Sequence, residues 1–121
     1  MSQPKQGNYF KLPNEIFNMD LSAGEIALYA FLMRMEDRET YTCYPSYKTI
    51  GKALQMSKNT VMKYVRQLEE KELIETERTL VENREGALRN GNLMYKILPI
   101  KQAVDAFHRR QLYNYGRKRR Q

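Results

Sequence analysis

Apolar residues in the first third of the chain follow helical spacing, and residues that begin helices well precede them. A proline at the first position favours a short helix over residues 13–18. Ser22 and Glu25 have the spacing of a capping box, and the eight residues 26–33 that follow offer no polar face over two turns. A helix that is apolar on all sides is buried on most of them. We therefore expect either the central core helix or a helix that is part core and part dimer contact.

Two further helices with a tight turn between them are predicted in the middle of the chain. Residues 41–44 are typical of a strand, which the following proline ends. Ser46 is placed to cap a helix over residues 47–54, and Ser57 to cap a second one over residues 58–72. The apolar residues of the second helix recur at i, i+3, i+4 and i+7, which predicts one buried face.

After residue 72 the period changes from that of a helix to that of a strand. Residues 73–81 are rich in Thr, Ile, Leu and Val, and residues 93–98 form a second run of this kind. The charged residues 82–92 between them contain Asn90-Gly91, a dipeptide typical of turns. The pattern therefore predicts a hairpin with a long loop over residues 82–92.

A last helix is predicted over residues 101–115, with Val104 and Phe107 facing inward. Gly116 is expected to end it, and residues 116–121 form a basic tail. This helix either packs on the first helix within one chain or pairs with its copy across a two-fold axis.

The composition is that of a globular domain without metal or disulfide support. Hydrophobic residues make up 41% of the 121 residues, too many for a disordered chain. A single cysteine, Cys43, excludes an internal disulfide framework, and a single histidine, His108, excludes a two-histidine metal site. We expect Cys43 to be a buried strand thiol and His108 to lie on the surface of a helix.

The N-terminus is polar and lacks the apolar segment of a signal peptide. The apolar run 26–33 is far shorter than the about 20 residues needed to cross a bilayer. We therefore expect a cytoplasmic protein in a reducing environment, with no membrane partner.

The formal net charge of +7 is unevenly distributed along the chain. The last 26 residues contain eight bases and one acid, whereas the first 95 residues carry no net charge. No acid occurs between residues 40 and 68, but five bases do: Lys48, Lys52, Lys58, Lys63 and Arg66. A solvated helix face usually mixes both signs, so this window favours a polyanionic partner.

The predicted order is helix, short strand, helix, tight turn, helix, strand, long loop, strand and helix. This is the element order of a winged helix-turn-helix. We therefore predict a mainly α fold with a small antiparallel β-hairpin. The domain would span residues 9–100, after a disordered lead over residues 1–8, with the helix 101–115 and the tail 116–121 following it.

Within residues 50–65 each position has a role in a helix-turn-helix. Ile50 and Leu54 would bury the first helix, Gly51 would let the second cross closely, and Met56 would fill the turn. Amide and basic side chains reach base edges in a major groove, whereas hydroxyls and ammonium groups reach phosphates. The predicted DNA-binding residues of the recognition helix, over about 58–72, are Ser57, Lys58, Asn59, Thr60, Met62, Lys63 and Arg66.

Three further groups are candidates for contacts outside the recognition helix. The first residues of the preceding helix are expected at the DNA backbone, the wing over residues 82–92 at an adjacent groove or the backbone, and the basic tail at phosphates. A purely solubilising role is the alternative for the tail. The residues concerned are Ser46, Tyr47 and Lys48, then Arg84, Arg89 and Asn90 in the wing, and Arg117, Lys118, Arg119 and Arg120 in the tail.

Five segments together resemble the small winged helix-turn-helix proteins of Gram-positive phages, plasmids and conjugative elements. These segments are residues 10–17, 21–29, 44–50, 57–61 and 68–74. The resemblance implies a small transcriptional regulator or an accessory replication factor of a mobile element. It also implies a homodimer through terminal helices, with two recognition helices about 34–36 Å apart on a palindrome. Gln55 stands where such turns often have glycine, so either it is left-handed or the turn differs.

The residues and the resemblance together predict sequence-specific binding of double-stranded DNA. The alternatives are a winged-helix module that binds protein without reading DNA, and RNA binding through the basic tail. A nucleophilic tyrosine would need a cluster of histidines and acids for its metal, which one histidine does not supply. No enzyme, cofactor, metal or small-molecule ligand is therefore expected.

Overall fold

The computed structural model describes residues 8–119, and it describes side chains as far as residue 117. Residues 1–7 of the predicted lead lie outside this range. The chain begins with a short 3-10 helix over Asn14–Asn18, close to the predicted helix 13–18. The α-helices are α1 (Ala23–Met35), α2 (Tyr47–Leu54), α3 (Lys58–Glu70) and α4 (Ile100–Arg119). The strands are β1 (Thr42–Cys43), β2 (Ile74–Glu77), β3 (Leu80–Glu82), β4 (Leu88–Asn90) and β5 (Met94–Ile97).

Helix α1 begins with the predicted capping box. Ser22 Oγ accepts a hydrogen bond from the Glu25 N–H (3.2 Å), and Glu25 Oε1 accepts one from the Ser22 N–H (3.0 Å). Glu25 is only 3% exposed, and Lys71 Nζ lies 2.8 Å from its Oε2. Burial raises the pKa of Glu25, but the hydrogen bonds from Lys71 and Ser22 outweigh it and leave that pKa below its usual value. The start of α1 is therefore fixed by both a cap and an ion pair.

The hydrophobic core lies between α1, the α2–α3 pair and the sheet. From α1 it receives Leu28, Tyr29 and Leu32, as the apolar pattern predicted. Helix α3 contributes Val61, Val65 and Leu68 at the predicted spacing. Cys43 of β1 is buried as expected, and its Sγ donates to the Leu32 carbonyl. This packing fixes α3 with one face inward and the opposite face in solvent.

Helix α3 ends two residues before the predicted boundary, because the chain turns at a left-handed residue. Glu72 has φ 61°. Its N–H donates to the Glu69 carbonyl, and the Leu73 N–H donates to the Leu68 carbonyl, both at 3.0 Å. This is the pairing of a Schellman motif, with Glu72 in the position usually held by glycine.

The sheet is antiparallel with strand order β1-β5-β2, and β3 pairs with β4 in an extension of the same hairpin. The predicted loop over residues 82–92 therefore contains strand residues at both sides of a shorter turn, Glu82 in β3 and Leu88–Asn90 in β4. The turn lies at residues 83–87, where Asn83 Oδ1 accepts from the Glu85 and Ala87 N–H groups and Gly86 has φ 81°. The prediction of a turn at Asn90-Gly91 is wrong. Gly91 pairs with Thr79 across the hairpin, where three residues (91–93) face two (78–79) in a bulge.

Helix α4 continues through Gly116 to Arg119, so the predicted end at residue 115 is wrong. A Cβ added to Gly116 would meet no neighbour within 4 Å, and the residue does not adopt the left-handed conformation of a helix stop. Glycine within a helix only lowers its stability, by about 1 kcal/mol. Val104 and Phe107 are half-buried as predicted, but the deepest contacts of α4 are made by Ala103 and Ala106. His108 is exposed on this helix.

Neither a membrane span nor a cluster of metal ligands is found in the described part of the chain. None of its helices is both long enough and apolar enough to cross a membrane. Within residues 8–119 no group of three or more His, Cys, Asp or Glu side chains is arranged to hold a metal ion.

Candidate nucleic-acid interface

The turn between α2 and α3 depends on a left-handed glutamine and a glycine. Gln55 has φ 56° and ψ 48°, and its N–H donates to the Gly51 carbonyl. The Met56 N–H donates to the same carbonyl at 2.9 Å. A Cβ on Gly51 would lie 2.5 Å from the Met56 carbonyl oxygen, so only glycine fits without a shift. Of the two possibilities for Gln55, the left-handed one is confirmed.

The two helices of the pair begin with the same arrangement of hydroxyl groups. Ser46 Oγ accepts from the Thr49 N–H and donates to Thr49 Oγ1. Ser57 Oγ accepts from the Thr60 N–H and donates to Thr60 Oγ1. The predicted caps are therefore confirmed, and the Ser57 hydroxyl uses both its hydrogen and a lone pair within the cap. Its role in the structure is to fix the start of α3.

The solvent face of α3 has the charge pattern predicted for a polyanion contact. Met62 and Thr60 are half-buried, and the other predicted side chains on this helix are exposed. The first acids on the helix are Glu69 and Glu70, in its last turn. The exposed basic and amide residues of α3 are Lys58, Asn59, Lys63 and Arg66.

Lys63 differs from the other exposed bases because it leans toward a neighbouring ring. Its Nζ lies 5.5 Å from the centroid of the Tyr64 ring. Tyr64 packs so closely on Gly24 of α1 that a Cβ on that glycine would overlap the ring. Tyr64 lies three residues after Val61, within the apolar spacing of α3, but the sequence gives no sign of its contact with Gly24. The contact links α3 to the start of α1.

The beginning of α2 lies beside the base of the hairpin. Lys48 is exposed, whereas Tyr47 is half-buried, and burial raises the pKa of its hydroxyl. Asn92, which no sequence signal singled out, donates from Nδ2 to the Tyr44 carbonyl at 3.1 Å. Its own carbonyl accepts from the Thr79 hydroxyl. These bonds tie the base of the wing to the segment that leads into α2.

The structure does not bring the three predicted wing residues to one surface. Arg84 lies in the turn, while Arg89 and Asn90 are neighbours on β4 and therefore point to opposite faces of the hairpin. All three are exposed. Asn90 shares its face with Leu80, its partner on β3, and with Leu88.

Much of the predicted basic tail is helical. Arg117 lies in α4, with its guanidinium carbon 5.8 Å from the Tyr113 ring centroid. Lys118 and Arg119 also belong to α4, and Arg120 lies outside the described residues. This basic segment is therefore at least partly a continuation of the last helix.

Comparison with known proteins agrees with this geometry. Residues 20–74 match a family described as a helix-turn-helix domain. A possible transcriptional regulator from Methanosarcina mazei Go1 is 18% identical, with a TM-score of 0.53 over 84% of this chain and 79% of that chain. A mutant of ZitR from Lactococcus lactis, solved in complex with DNA, is 16% identical, with a TM-score of 0.44 over 93% and 70% of the two chains. No curated protein matches the chain.

The fold is a winged helix-turn-helix. In it α2 and α3 are the helix-turn-helix pair, and the hairpin from β2 to β5 is the wing. The match over residues 20–74 extends from just before α1 to the first residue of the wing, and so contains the whole helix-turn-helix.

Proposed function

We propose that this protein binds double-stranded DNA in a sequence-specific manner, with α3 as the recognition helix in the major groove. The observation that carries the proposal is the solvent face of α3. This face presents basic side chains, an amide and a thioether, and it has no acidic side chain before the last turn of the helix. The core fixes the opposite face of the helix, so these side chains are presented by a rigid element. Base edges are read by side chains of these types.

Phosphate contacts are assigned to the surroundings of α3. Ser46, Tyr47 and Lys48 lie at the start of α2, where Lys48 is exposed, and the wing and the end of α4 add arginines. The wing residues in this proposal are Arg84, Arg89 and Asn90, and those of α4 and its tail are Arg117, Lys118, Arg119 and Arg120. Affinity that depends on phosphate contacts falls as the salt concentration rises. For each neutralised phosphate, log K falls by about 0.9 per tenfold increase in salt concentration.

The decisive experiment replaces Lys58, Asn59 and Lys63 with alanine and measures duplex binding by fluorescence anisotropy. We expect binding to be lost while the circular dichroism spectrum is retained. The matched control replaces Lys96, Lys101 and Asn114, which are also two lysines and one asparagine on the surface. Equal affinity of the two triple variants, with both folded, would refute the proposal.

The biological role that we propose is that of a small transcriptional regulator or an accessory replication factor of a mobile genetic element. It is supported by the resemblance of five segments to such proteins, and by the fold shared with a possible transcriptional regulator. Selection of binding sites from a random DNA pool would give a sequence to search for in promoters and replication origins. Sites confined to chromosomal housekeeping genes would contradict the mobile-element role.

We also propose a homodimer that binds a palindromic site. The second half of α4 leaves Leu112 72% exposed and Tyr113 66% exposed, while its first half is packed on the core. An exposed apolar surface of this kind is typical of an interface. Sedimentation velocity of the wild type and of Leu112→Asp tests the assignment, with a change from dimer to monomer expected. A wild type that stays monomeric on its selected DNA site would exclude the dimer.

A second candidate function is a protein-binding winged helix, which the apolar face of the wing favours. Leu80 and Leu88 lie on one face of the hairpin and are 61% and 66% exposed. A salt titration separates the two functions. Absence of duplex binding at low salt would favour the protein-binding module, and a preference for RNA in competition would favour the third alternative.

A further inference from the structure

The side chains on the solvent face of α3 do not have equivalent surroundings, and the differences indicate which of them read bases. Ser57 and Thr60 are joined in the cap. Lys63 leans toward the Tyr64 ring, away from the middle of the face. Of the four residues that remain, Lys58 lies to one side of the others, and Asn59, Met62 and Arg66 occupy positions i, i+3 and i+7. This spacing places them in one stripe along the helix.

Cations border this stripe on its two long sides, and acids follow at its end. By their helical positions Lys58 lies beside Met62, and Lys63 lies beside Asn59 on the other side. Glu69 and Glu70 follow within about one turn of Arg66. Ammonium groups on both sides suit the phosphates of the two groove walls, whereas carboxylates repel phosphate. The arrangement therefore gives a reading surface that ends at Arg66.

The length of the stripe sets the number of base pairs that it can contact. Asn59 and Arg66 are seven residues apart, which is about 10 Å at about 1.5 Å per residue. At about 3.4 Å per base pair this spans about three base pairs. One α3 helix therefore contacts a half-site core of three or four base pairs.

We infer that this core contains an adenine read by Asn59, a thymine methyl group in contact with Met62, and a guanine read by Arg66. An asparagine amide pairs with adenine N6 and N7, and an arginine pairs with guanine O6 and N7. An apolar side chain selects thymine through its C5 methyl group. Lys58 and Lys63 then contact phosphates and contribute affinity without sequence preference. This inference rests on the proposed binding of double-stranded DNA.

The first test is site selection from a random duplex pool with the wild type and with Asn59→Ala, Met62→Ala and Arg66→Ala. Each variant is expected to lose the preference at one position and keep it at the others. Loss of one bidentate contact should weaken binding of the preferred site by about 5- to 150-fold. Lys58→Ala and Lys63→Ala are the matched controls. They should weaken all sequences alike and lower the salt slope by about one each.

The second test changes the DNA, because Met62→Ala alters a half-buried residue and could disturb α3. Replacing the selected thymine with deoxyuridine removes only the methyl group, and 7-deazaguanine removes only N7. The wild type should lose affinity with each analogue, whereas Met62→Ala should be indifferent to deoxyuridine and Arg66→Ala to 7-deazaguanine.

The outcomes separate the inference from the function on which it rests. A wild type with a clear sequence preference that Asn59→Ala and Arg66→Ala leave unchanged would overturn the assignment of base readers and leave DNA binding intact. A wild type that binds no duplex, or all duplexes equally, would overturn the proposed function and the inference together.

Discussion

Lys71 Nζ lies 2.8 Å from Glu25 Oε2 and 3.0 Å from Glu25 Oε1, so the residue after α3 is ionically bound to the first turn of α1. The same ammonium donates to the Asp20 carbonyl at 3.1 Å. Glu25 also closes the capping box with Ser22. One carboxylate therefore fixes both the start of α1 and the end of α3.

Replacing Lys71 with methionine keeps most of the side-chain volume but leaves the Glu25 carboxylate buried without its cation. We expect the free energy of unfolding in urea to fall by about 1–3 kcal/mol. The control is Lys101→Met, an exposed lysine whose loss should change it by less than about 0.5 kcal/mol. Adding Glu25→Gln to Lys71→Met should recover part of the loss. Equal effects of Lys71→Met and Lys101→Met would contradict this account.

The same pair predicts a pH dependence in the acid range. The pKa of Glu25 is held below its usual value of 4.5, so the folded state binds this proton less tightly than the unfolded chain. The stabilisation is therefore present above about pH 4.5 and is lost as the pH falls through the folded pKa. The stability difference between the wild type and Lys71→Met should shrink over that range, and a constant difference down to pH 2 would oppose it.

Stability should also fall in alkali, because burial raises the pKa of three core groups. The pKa is raised to about 11 for Cys43 and to about 12 for Tyr29, and that of Tyr95 is raised as well. The folded state holds these protons more tightly, so stability is full below about pH 9 and declines as the pH rises further. Each group adds a slope of at most about 1.4 kcal/mol per pH unit.

Cys43→Ala separates the thiol from the two phenols. Its free energy of unfolding should decline less steeply than that of the wild type between about pH 9 and 11, whatever its stability at pH 7. Tyr9→Phe, which removes a phenol on a side chain that is 79% exposed, is the control and should leave the slope unchanged. Parallel curves for the wild type and Cys43→Ala would show that the thiol does not contribute.

The left-handed turn residue predicts an unusual stabilising substitution. Gln55→Gly removes the cost of φ 56° for a residue with a Cβ and should stabilise the fold by about 0.5–1 kcal/mol. Ala53→Gly is the matched control, because the same residue type placed inside α2 should destabilise by about 1 kcal/mol. Thermal unfolding of both variants decides the matter, and two changes of the same sign would contradict the turn geometry.

Sequence patterns predicted the elements whose ends are determined locally. Ser22, Ser46 and Ser57 each supply a hydroxyl to an N–H three residues on, so spacing alone was sufficient. The position of the turn in the wing could not be predicted from local spacing. Asn90-Gly91 and Asn83 are both acceptable turn formers, and the choice between them depends on the register of β5 with β2. Register is set by side chains far apart in the sequence.

The sequence identified candidate residues for the site, but it did not indicate the directions in which their side chains point. Nothing near Lys63 in the sequence indicates that the neighbouring Tyr64 ring packs on Gly24, or that the Lys63 ammonium lies over this ring. The two wing arginines were chosen by charge, and Asn90 was chosen as part of the predicted turn. Whether Arg89 and Asn90 share a face depends on whether the segment is loop or strand, and that assignment was wrong.

The two glycines Gly51 and Gly116 should respond in opposite ways to alanine. At Gly51 a Cβ would meet the Met56 carbonyl oxygen at 2.5 Å, and because this atom is backbone the helix-turn-helix would have to shift. We expect Gly51→Ala to lower the free energy of unfolding by about 1–3 kcal/mol and to weaken DNA binding.

At Gly116 a Cβ has no neighbour within 4 Å, so Gly116→Ala should raise the helix content and stabilise α4 by up to about 1 kcal/mol. Urea unfolding and far-ultraviolet circular dichroism measure both effects. A loss of helix in Gly116→Ala would mean that α4 ends at residue 115. Unchanged stability in Gly51→Ala would mean that a Cβ fits beside the Met56 carbonyl without a shift of the turn.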